Sequence, residues 1–490
     1  MQRLTSHYRE ESGQALIMVI FLVSVLTIMA SILMDASLSS GKRSAAAVQS
    51  EASHAVAEAA IDDYLSKLLD DNQYFLHYVA PGESTRRSTT GVLVSPVNPP
   101  ASATPWPSAY GRTWTYPSHD TWLPLGNGYA YNLQVQAPQT GTNLTNSVDI
   151  VATGAYCGTP CTTPSTRNRR VIEELVRPAS VADFQMMANN SISYGNTATT
   201  NGKIYAGCTP LPACTTKYNV NHQGTANADI YAEGSVTGNP TLGKDPNGVT
   251  AKTYNSSNIR TVIKQPIDFT TFQSSLTDIQ RAAQYAGGIY LNNPSVAAWW
   301  MTFKSDGTID IKSCTGSSIE LTSPSCGAAT NYPAPGNGAI YAEQSVIIAG
   351  GSASCGSPSV IGSCVKGRMT VASNNDIVIG NNIDYVTSGT DTLGLIAKDD
   401  MIVAKWAPNN LNWRAATIAQ SGSWYSATSD GSHGTMTFTG STATYGGGYM
   451  DEFGTRYYNY DTTLSYLQPP WFPTIGAAYT VILYRELPAG

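Results

Sequence analysis

Eight cysteines are the residues of this 490-residue chain whose type and spacing most directly indicate chemistry. An even count in an exported chain suits disulfide bonds formed in an oxidising compartment. The alternative is a tetrahedral zinc site, which needs converging short spacings, commonly with histidine. The spacings are irregular, and only His222 lies near a cysteine pair in sequence. We therefore predict four bonds that close small surface loops: Cys157 with Cys161, Cys208 with Cys214, Cys314 with Cys326, and Cys355 with Cys364.

Acidic side chains are the second set of candidates, because enzymes that hydrolyse polysaccharides use pairs of carboxylates. Asp376 and Asp384 lie on one stretch, and Asp399 and Asp400 follow on the next repeat. Asp and Asn also fill corners of repetitive β folds, where they tolerate turn geometry. The sequence has no G-x-S-x-G, no phosphate-binding loop, no recognisable calcium loop, and no metal spacing among its 6 histidines. We predict no catalytic residues, no cofactor and no metal site, and hence a protein that is not an enzyme.

Charge and length narrow the class of protein. The formal net charge of -6 argues against a nucleic-acid partner, since nucleic-acid binders normally carry a basic patch. Arg167, Arg169 and Arg170 form a basic cluster that is too small to change this. At 490 residues the chain exceeds the size at which single hydrophobic cores stop growing, so two or more domains are expected.

One uncharged apolar run is long enough to anchor the chain in a membrane. It extends from Ala15 to Met34, about the 20 residues that a helix needs to cross a bilayer core. A secretory signal peptide has a shorter apolar core, of about 7–15 residues, followed by a small-residue cleavage site. We predict a single membrane span here, with the rest of the chain in water.

Helical character continues beyond the apolar run. No proline occurs from Asp35 to about Tyr78, and only Gly41 interrupts the helix formers. Ile61, Leu65 and Leu68 widen the apolar face toward the C-terminal end, where a globular domain would cover it. Small residues at alternating spacings of three and four form a narrow stripe that lets helices approach closely: Ala45, Val48, Ala52, Ala55 and Ala59.

The first 70 residues resemble the N-terminus of type IV prepilins. Glu11-Ser12-Gly13 followed by Gln14-Ala15-Leu16-Ile17 and an apolar helix is most similar to minor pilins of the PilX-like group. Glu51, Glu58 and Ala59-Ala60-Ile61 resemble the same group's continuation.

This resemblance implies processing and assembly. A prepilin peptidase would cut between Gly13 and Gln14, and the helix would pack into a filament with other pilin subunits and the pilus assembly machinery. The fifth residue after the cut is usually Glu in major pilins, but here it is Met18. This departure favours a minor, priming or tip-like subunit.

The remaining chain is predicted to be mostly β. Tyr129, Tyr131, Leu133 and Val135 alternate with polar residues, as in a half-buried strand. Val148, Ile150 and Ala152 repeat the pattern, and Arg170 to Arg177 gives a third strand. With the preceding helix, these strands match the α+β plan of pilin heads. The predicted boundaries are a leader-like segment at 1–13, the helix at 14–79, and a small antiparallel-sheet domain at 80–180.

Internal repeats dominate residues 185–440. Ile204-Tyr205-Ala206 recurs as Ile230-Tyr231-Ala232, Ile289-Tyr290-Leu291 and Ile340-Tyr341-Ala342, with related runs at 371–379 and 396–403. Short strands joined by polar corners are typical of a parallel β-solenoid, in which stacked coils bury one continuous core. A β-sandwich is the alternative. A helix is predicted between Phe269 and Ala286, and residues 441–490, rich in Gly, Pro and Tyr, are predicted to form a C-terminal cap with a last strand at 479–484.

These features together predict a pilin-like minor subunit with a large β-rich head for adhesion or filament priming. It would span the inner membrane once and reach the cell surface or pilus after assembly. Two alternatives stay open: a membrane-anchored envelope scaffold or pseudopilin, and a tethered β-helix enzyme acting on polysaccharides. The sequence identifies no surface or glycan ligand.

Overall fold

A computed structural model gives the conformation of most of the chain. Residues 1–10 and 71–112 lie outside the described part. The structure describes residues 11–70, 113–116, 122–136, 147–158, 169–245, 248–263, 265–351, 353–355 and 361–488.

One helix, α1 (Glu11–Asp70), accounts for the N-terminal region. It is continuous through the apolar run and the Ala-rich segment, as the lack of proline predicts. Its part from Met18 to Leu38 is exposed, whereas Val56, Ile61 and Leu68 are buried. The predicted end near residue 79 lies outside the described residues.

An antiparallel 6-stranded sheet covers the second half of α1. It includes the three strands that the alternating pattern predicts, and its last member is the final strand of the chain, Thr474–Leu487. Its first five strands are β1 (Thr113–Tyr116), β2 (Leu123–Gly126), β3 (Tyr129–Gln136), β4 (Val148–Tyr156) and β5 (Arg170–Ser180).

A first group of short strands, the upper coils, follows β5 and pairs mainly in parallel. These strands are β6 (Phe184–Ala188), β7 (Ile192–Tyr194), β8 (Thr199–Thr200), β9 (Lys203–Ala206), β10 (Cys208–Thr209), β11 (Thr216–Lys217), β12 (Val220–His222), β13 (Thr225–Ala226), β14 (Ile230–Ala232), β15 (Val236–Thr237), β16 (Thr241–Leu242) and β17 (Thr253–Tyr254).

A helix, α2 (Ser274–Tyr285), separates this group from a second one, the lower coils. The predicted helix begins as a 3-10 turn at Phe269–Gln273 and continues into α2. The strands of the lower coils are β18 (Ile289–Leu291), β19 (Ala298–Phe303), β20 (Thr308–Thr315), β21 (Ser325–Cys326), β22 (Thr330–Pro333), β23 (Ala339–Ala342), β24 (Ser345–Ile348), β25 (Ala353–Ser354), β26 (Ile361–Val365), β27 (Arg368–Ser373), β28 (Ile377–Ile379), β29 (Ile383–Tyr385), β30 (Thr392–Ala397), β31 (Met401–Val403), β32 (Leu411–Ala419), β33 (Trp424–Ser426), β34 (His433–Thr444), β35 (Gly448–Tyr449) and β36 (Phe453–Tyr460).

The sequence repeats stack on one another in register. Ile204 pairs with Ile230 and Tyr205 with Tyr231 between parallel strands β9 and β14. In the lower coils, Tyr290 on β18 lies beside Tyr341 on β23 in the same way. Repeated residues occupy equivalent positions because each coil presents the same side-chain environment to the next.

The two groups of coils join end to end. Strand β34, late in the lower coils, pairs in parallel with β6, the first strand of the upper coils. The order β18-β23-β27-β30-β32-β34-β6-β9-β14-β17 runs through one 14-stranded sheet, and a 9-stranded sheet containing β24, β28, β31, β33 and β35 accompanies the lower coils. The described chain therefore has one long apolar helix and a large β-rich region with parallel sheets.

Part of the segment predicted as a C-terminal cap, residues 441–490, pairs with the lower coils. Strand β36 pairs in parallel with β34 from His433 to Gly440, and β6 of the upper coils pairs with β34 from Thr442 to Thr444. The last strand, β37 (Thr474–Leu487), leaves the coils and pairs antiparallel with β5. A long strand with an unpaired edge of β5 within reach gains a full ladder of backbone hydrogen bonds there. The coils are thus inserted between two neighbouring strands of the antiparallel sheet.

Candidate functional site

The predicted processing pair lies within α1. Gly13 and Gln14 have helical backbone conformation, and the apolar segment follows directly. In the described residues, Met18–Leu68 is the helix long and apolar enough to cross a membrane, with mean hydropathy 2.3 in its most apolar window. None of that window is buried against the rest of the chain. A core helix of a soluble domain would instead have a covered apolar face.

The second half of α1 is held by the antiparallel sheet. Ile61 and Leu68 are fully buried against β3, β4 and β5, and burial of each such side chain contributes about 2 kcal/mol. The closest approach is at Gly154 on β4, where a Cβ atom would lie 2.0 Å from the carbonyl oxygen of Ser53. Only a residue without a side chain permits this contact.

The predicted stripe of small residues is not the face that docks on the sheet. Ala45, Val48 and Ala55 are exposed, and Ala52 and Ala59 are half-buried. The docking face instead contains Ser53, Val56, Ala60 and Tyr64 in addition to Ile61 and Leu68. Ala45, Val48 and Ala55 of the stripe are therefore not covered by the sheet.

Three of the four predicted disulfide bonds lie in described residues. Cys208 is bonded to Cys214, Cys314 to Cys326, and Cys355 to Cys364. Cys157 is also disulfide-bonded, while Cys161 lies outside the described residues. Such bonds form in an oxidising, extracytoplasmic environment.

One group of potential metal ligands occurs in the described part of the chain: Cys208, Cys214 and Glu233. The two sulfurs are bonded to each other and therefore offer no thiolate. Glu233 instead accepts a hydrogen bond from the Tyr205 hydroxyl at 2.9 Å and forms an ion pair with Arg260. We assign this group a structural role.

Asp376, Asp399 and Asp400 occupy corners between strands, whereas Asp384 lies within β29. An Asp376 carboxylate oxygen accepts the backbone N–H of Asp400 at 2.9 Å, and Asp400 accepts that of Ser423 at 2.7 Å on the next coil. Burial raises the pKa of Asp376, and the neighbouring Asp400 and Asp399 carboxylates act in the same direction. Asp384 lies elsewhere, 3.9 Å from Arg414 Nη1. Asp376 and Asp400 thus link successive coils by accepting backbone N–H groups, which is the corner role that turn chemistry predicts.

A buried acid–histidine pair lies further along the coils. Glu452 is fully buried, and its Oε1 lies 3.1 Å from His433 Nδ1. The Ser432 hydroxyl contacts the same nitrogen at 3.2 Å, while His433 Nε2 faces the Ala407 carbonyl at 3.0 Å. A nucleophilic triad needs the serine and the acid on opposite ring nitrogens. This arrangement therefore lacks triad geometry, and we interpret it as a structural contact.

A polar cavity of about 440 Å³ lies between α2 and the parallel sheet. Glu343 accepts hydrogen bonds from Gln280 at 2.7 Å and from the Tyr290 hydroxyl at 2.8 Å. Lys398 donates to Asn374 at 3.2 Å. Glu343 and Lys398 thus both have hydrogen-bond partners among the residues around the cavity.

A smaller aromatic cavity lies where the upper coils meet the lower coils. Its volume is about 80 Å³, several times the roughly 15 Å³ that one water molecule needs. No charged residue lines it, and five aromatic residues do: Tyr194, Trp424, Phe438, Tyr449 and Tyr458. Sequence patterns did not indicate this site, because its wall combines strands that are far apart along the chain.

Comparison with known proteins gives no relative: no family model, no curated protein and no solved structure matches the chain. A function for the chain therefore rests on its own residues and geometry.

Proposed function

We propose that the chain is a non-enzymatic, pilin-like minor subunit of a type IV pilus or related filament. A prepilin peptidase would remove the leader between Gly13 and Gln14. The mature helix would then leave the inner membrane and pack among other subunits, and the β-rich head would serve adhesion or filament priming at the cell surface.

The two-part surface of α1 carries this proposal. Large apolar side chains such as Met18, Phe21 and Leu33 are more than half exposed, and the helix gains cover only where the antiparallel sheet begins. A subunit that exchanges lipid for neighbouring helices needs one bare apolar half and one half fixed to its head. Apolar side chains of this kind are stable in lipid or against other apolar helices, but not in water.

The exposed stripe of small residues adds support. Ala45, Val48 and Ala55 continue the bare surface beyond the apolar run. Small side chains let neighbouring helices approach closely. A solitary membrane anchor makes no helix–helix contacts outside the bilayer. A helix packed in a filament does make such contacts, and the stripe would allow them to be close.

We also propose that the stacked coils form a parallel β-solenoid. Its support is the in-register column of Ile340, Val371, Leu395, Thr417 and Thr442 on successive coils. Apolar side chains from two sheets of the lower coils share one core, as stacked solenoid coils do. A head of this size is too bulky to repeat along a thin filament, so a rare or tip position is expected.

Recovery of the protein with sheared filaments tests this function. Wild-type protein and a Gly336→Val control should co-purify with filaments, because a Cβ atom at Gly336 meets nothing within 4 Å and Gly336 lies outside α1. Gly13→Val should block processing and keep the protein in the membrane fraction. Recovery of all three proteins only in membranes would contradict filament membership and favour the anchored scaffold.

A further inference from the structure

We infer that the polar cavity between α2 and the parallel sheet binds a linear, uncharged glycan that lies across the stacked coils. This site gives the proposed adhesive head a ligand class, and in that respect the inference rests on the proposed function. It does not depend on removal of the leader. The volume of the cavity is about 440 Å³. Typical ligand sites have volumes of roughly 300–1,000 Å³.

Equivalent corners of successive coils supply one wall of this cavity. Four of its lining residues directly follow strands β23, β27, β30 and β32, one on each coil: Glu343, Asn374, Lys398 and Gln420. Neighbouring strands lie about 4.8 Å apart, so this polar row offers one side chain per coil over a length of about 14 Å. The rings of an extended, β-linked glycan repeat at a similar interval, so each ring can meet one coil.

Side chains of the polar row keep unused hydrogen-bonding groups. Glu343 Oε1 accepts from Gln280 and from the Tyr290 hydroxyl, and Oε2 has no partner among the described residues. Lys398 uses one N–H of its ammonium on Asn374 Oδ1 at 3.2 Å, and the Asn374 amide nitrogen makes no hydrogen bond within the described chain. Glu343 and Asn374 are half-buried and Lys398 is exposed, and the unused groups are open to solvent. A ligand can therefore reach them.

The two walls of the cavity are held in place before any ligand binds. Glu343 joins Gln280 of α2 to Tyr290 of β18. Gln420 donates to the carbonyl of Phe272, shortly before α2. The apolar face of α2 is buried against the same sheet. A preformed site loses little conformational entropy on binding, so more of the free energy of its hydrogen bonds contributes to affinity.

The lining disfavours other classes of ligand. Glu343 and Lys398 have opposite charges, so a polyanion would meet the carboxylate and a polycation the ammonium. The strands of these coils pair with one another, so a peptide finds no free strand edge there. The apolar lining residues Leu276 and Tyr341 are buried and offer no pocket for an apolar side chain. Sugar hydroxyls both donate and accept, and they can bind the carboxylate, the amide and the ammonium of one row.

Binding of neutral oligosaccharides of increasing length to the full chain tests this inference. The protein is held in nanodiscs free of glycoside detergents. Calorimetry measures its affinity for the di-, tetra- and hexasaccharides of β-linked glucose, mannose and N-acetylglucosamine. We expect at least one series to bind, with an affinity roughly tenfold higher for the tetrasaccharide than for the disaccharide and no further gain for the hexasaccharide, because the polar row spans four coils. The uncleaved Gly13→Val precursor should bind equally well, which separates this result from that of the processing test.

Point variants on both walls locate the site. Lys398→Met keeps the length of the side chain and removes its ammonium, and Thr277→Val removes a hydroxyl from the α2 wall. Both positions are exposed, so the variants should fold. Each should lower the affinity for the tetrasaccharide roughly threefold to tenfold. Lys366→Met is the matched control, because Lys366 is also exposed but does not line the cavity.

Three results would overturn the inference. They are absence of binding by every neutral series, equal affinity for the disaccharide and the tetrasaccharide, and equal affinity of Lys398→Met and the Lys366→Met control. Tighter binding of tetragalacturonate than of any neutral tetrasaccharide would also overturn it, and would assign the cavity to acidic chains.

Discussion

Asp149 on β4 shows how burial changes the chemistry of a single residue. Burial raises its pKa to about 6, and the nearby Glu173 carboxylate adds to the effect, while Arg485 acts in the opposite direction. Arg485 itself is held by Glu173 through hydrogen bonds of 2.6 and 2.9 Å. Arg485 therefore hydrogen-bonds to Glu173 and not to Asp149. Asp149 Oδ1 has no hydrogen-bond partner in the described part of the chain.

This raised pKa predicts a pH-dependent stability. Between about pH 4 and pH 6 the folded state holds a proton on Asp149 that the unfolded state has released. Stability should thus fall as the pH rises through this window. Asp149→Asn should lack the decrease in the free energy of unfolding that Asp149 causes between about pH 4 and 6. The variant should therefore be more stable than wild type at about pH 7. Denaturant unfolding of both proteins from pH 3.5 to 7.5 measures their free energies of unfolding. If the difference between these free energies does not grow between pH 4 and 6, the prediction is wrong.

Local spacing predicts some site residues and not others. The cysteine pairs are close in sequence, so a short loop alone brings Cys314 to Cys326. The aromatic cavity has no such signal, because Tyr194 and Trp424 meet only after the upper coils stack on β34. Asp376 and Asp400 come together as the repeats suggest, but their backbone hydrogen bonds give them a structural role.

At the scale of elements, the contact between α1 and the antiparallel sheet joins the apolar helix to the β-rich region. The face that docks, including Ile61 and Leu68, is apolar and is fully covered. Gly154 allows the helix backbone to approach β4, and any side chain there would push the two elements apart. The close approach of α1 to β4 therefore requires glycine at position 154.

Gly154→Val should loosen this contact. Overpacking typically costs about 1–3 kcal/mol, and here the cost falls on the interface of α1 with the sheet. Hydrogen exchange should accelerate in the second half of α1 and remain unchanged in the coils. Gly195→Val is the control, since a Cβ atom at Gly195 meets nothing within 4 Å. Equal protection of α1 in both variants would contradict the docking geometry.

The disulfide loops should contribute to stability in the order of their length. The Cys314 to Cys326 separation of 12 residues is twice the Cys208 to Cys214 separation of 6. Each doubling of a loop adds about 0.6 kcal/mol to the closure entropy that a bond removes from the unfolded chain. Replacing the first pair by alanines should therefore destabilise the protein by about 0.6 kcal/mol more than replacing the second. Denaturant unfolding of the two double variants measures this, and the reverse order would contradict it.

Element types were more predictable than their partners. The alternation of Tyr131, Leu133 and Val135 identifies β3 because these three side chains face the core. The helical spacing of Leu276, Ile279 and Ala283 likewise identifies α2, whose apolar face covers the parallel sheet. The partner of β37 was not predicted, since strand pairing is decided by free edges in the folded structure and not by local pattern.

At the scale of the whole molecule, the coils leave the antiparallel sheet after β5 and return to it at β37. Strands β5 and β37 are neighbours, and the coils between them form one large insertion. The bare half of α1 leaves the same sheet that receives both ends of the insertion. Such a plan separates the bare half of α1 from the coils, as the proposed filament subunit requires.

The mature N-terminus tests this account most directly. Intact-mass analysis and N-terminal sequencing of the protein recovered from the cell surface should show a chain that begins at Gln14. This result would establish prepilin-type processing and make assembly with pilins the mechanism of display. A chain that still begins at Met1 would contradict the pilin-like account and leave a membrane-anchored β-rich head.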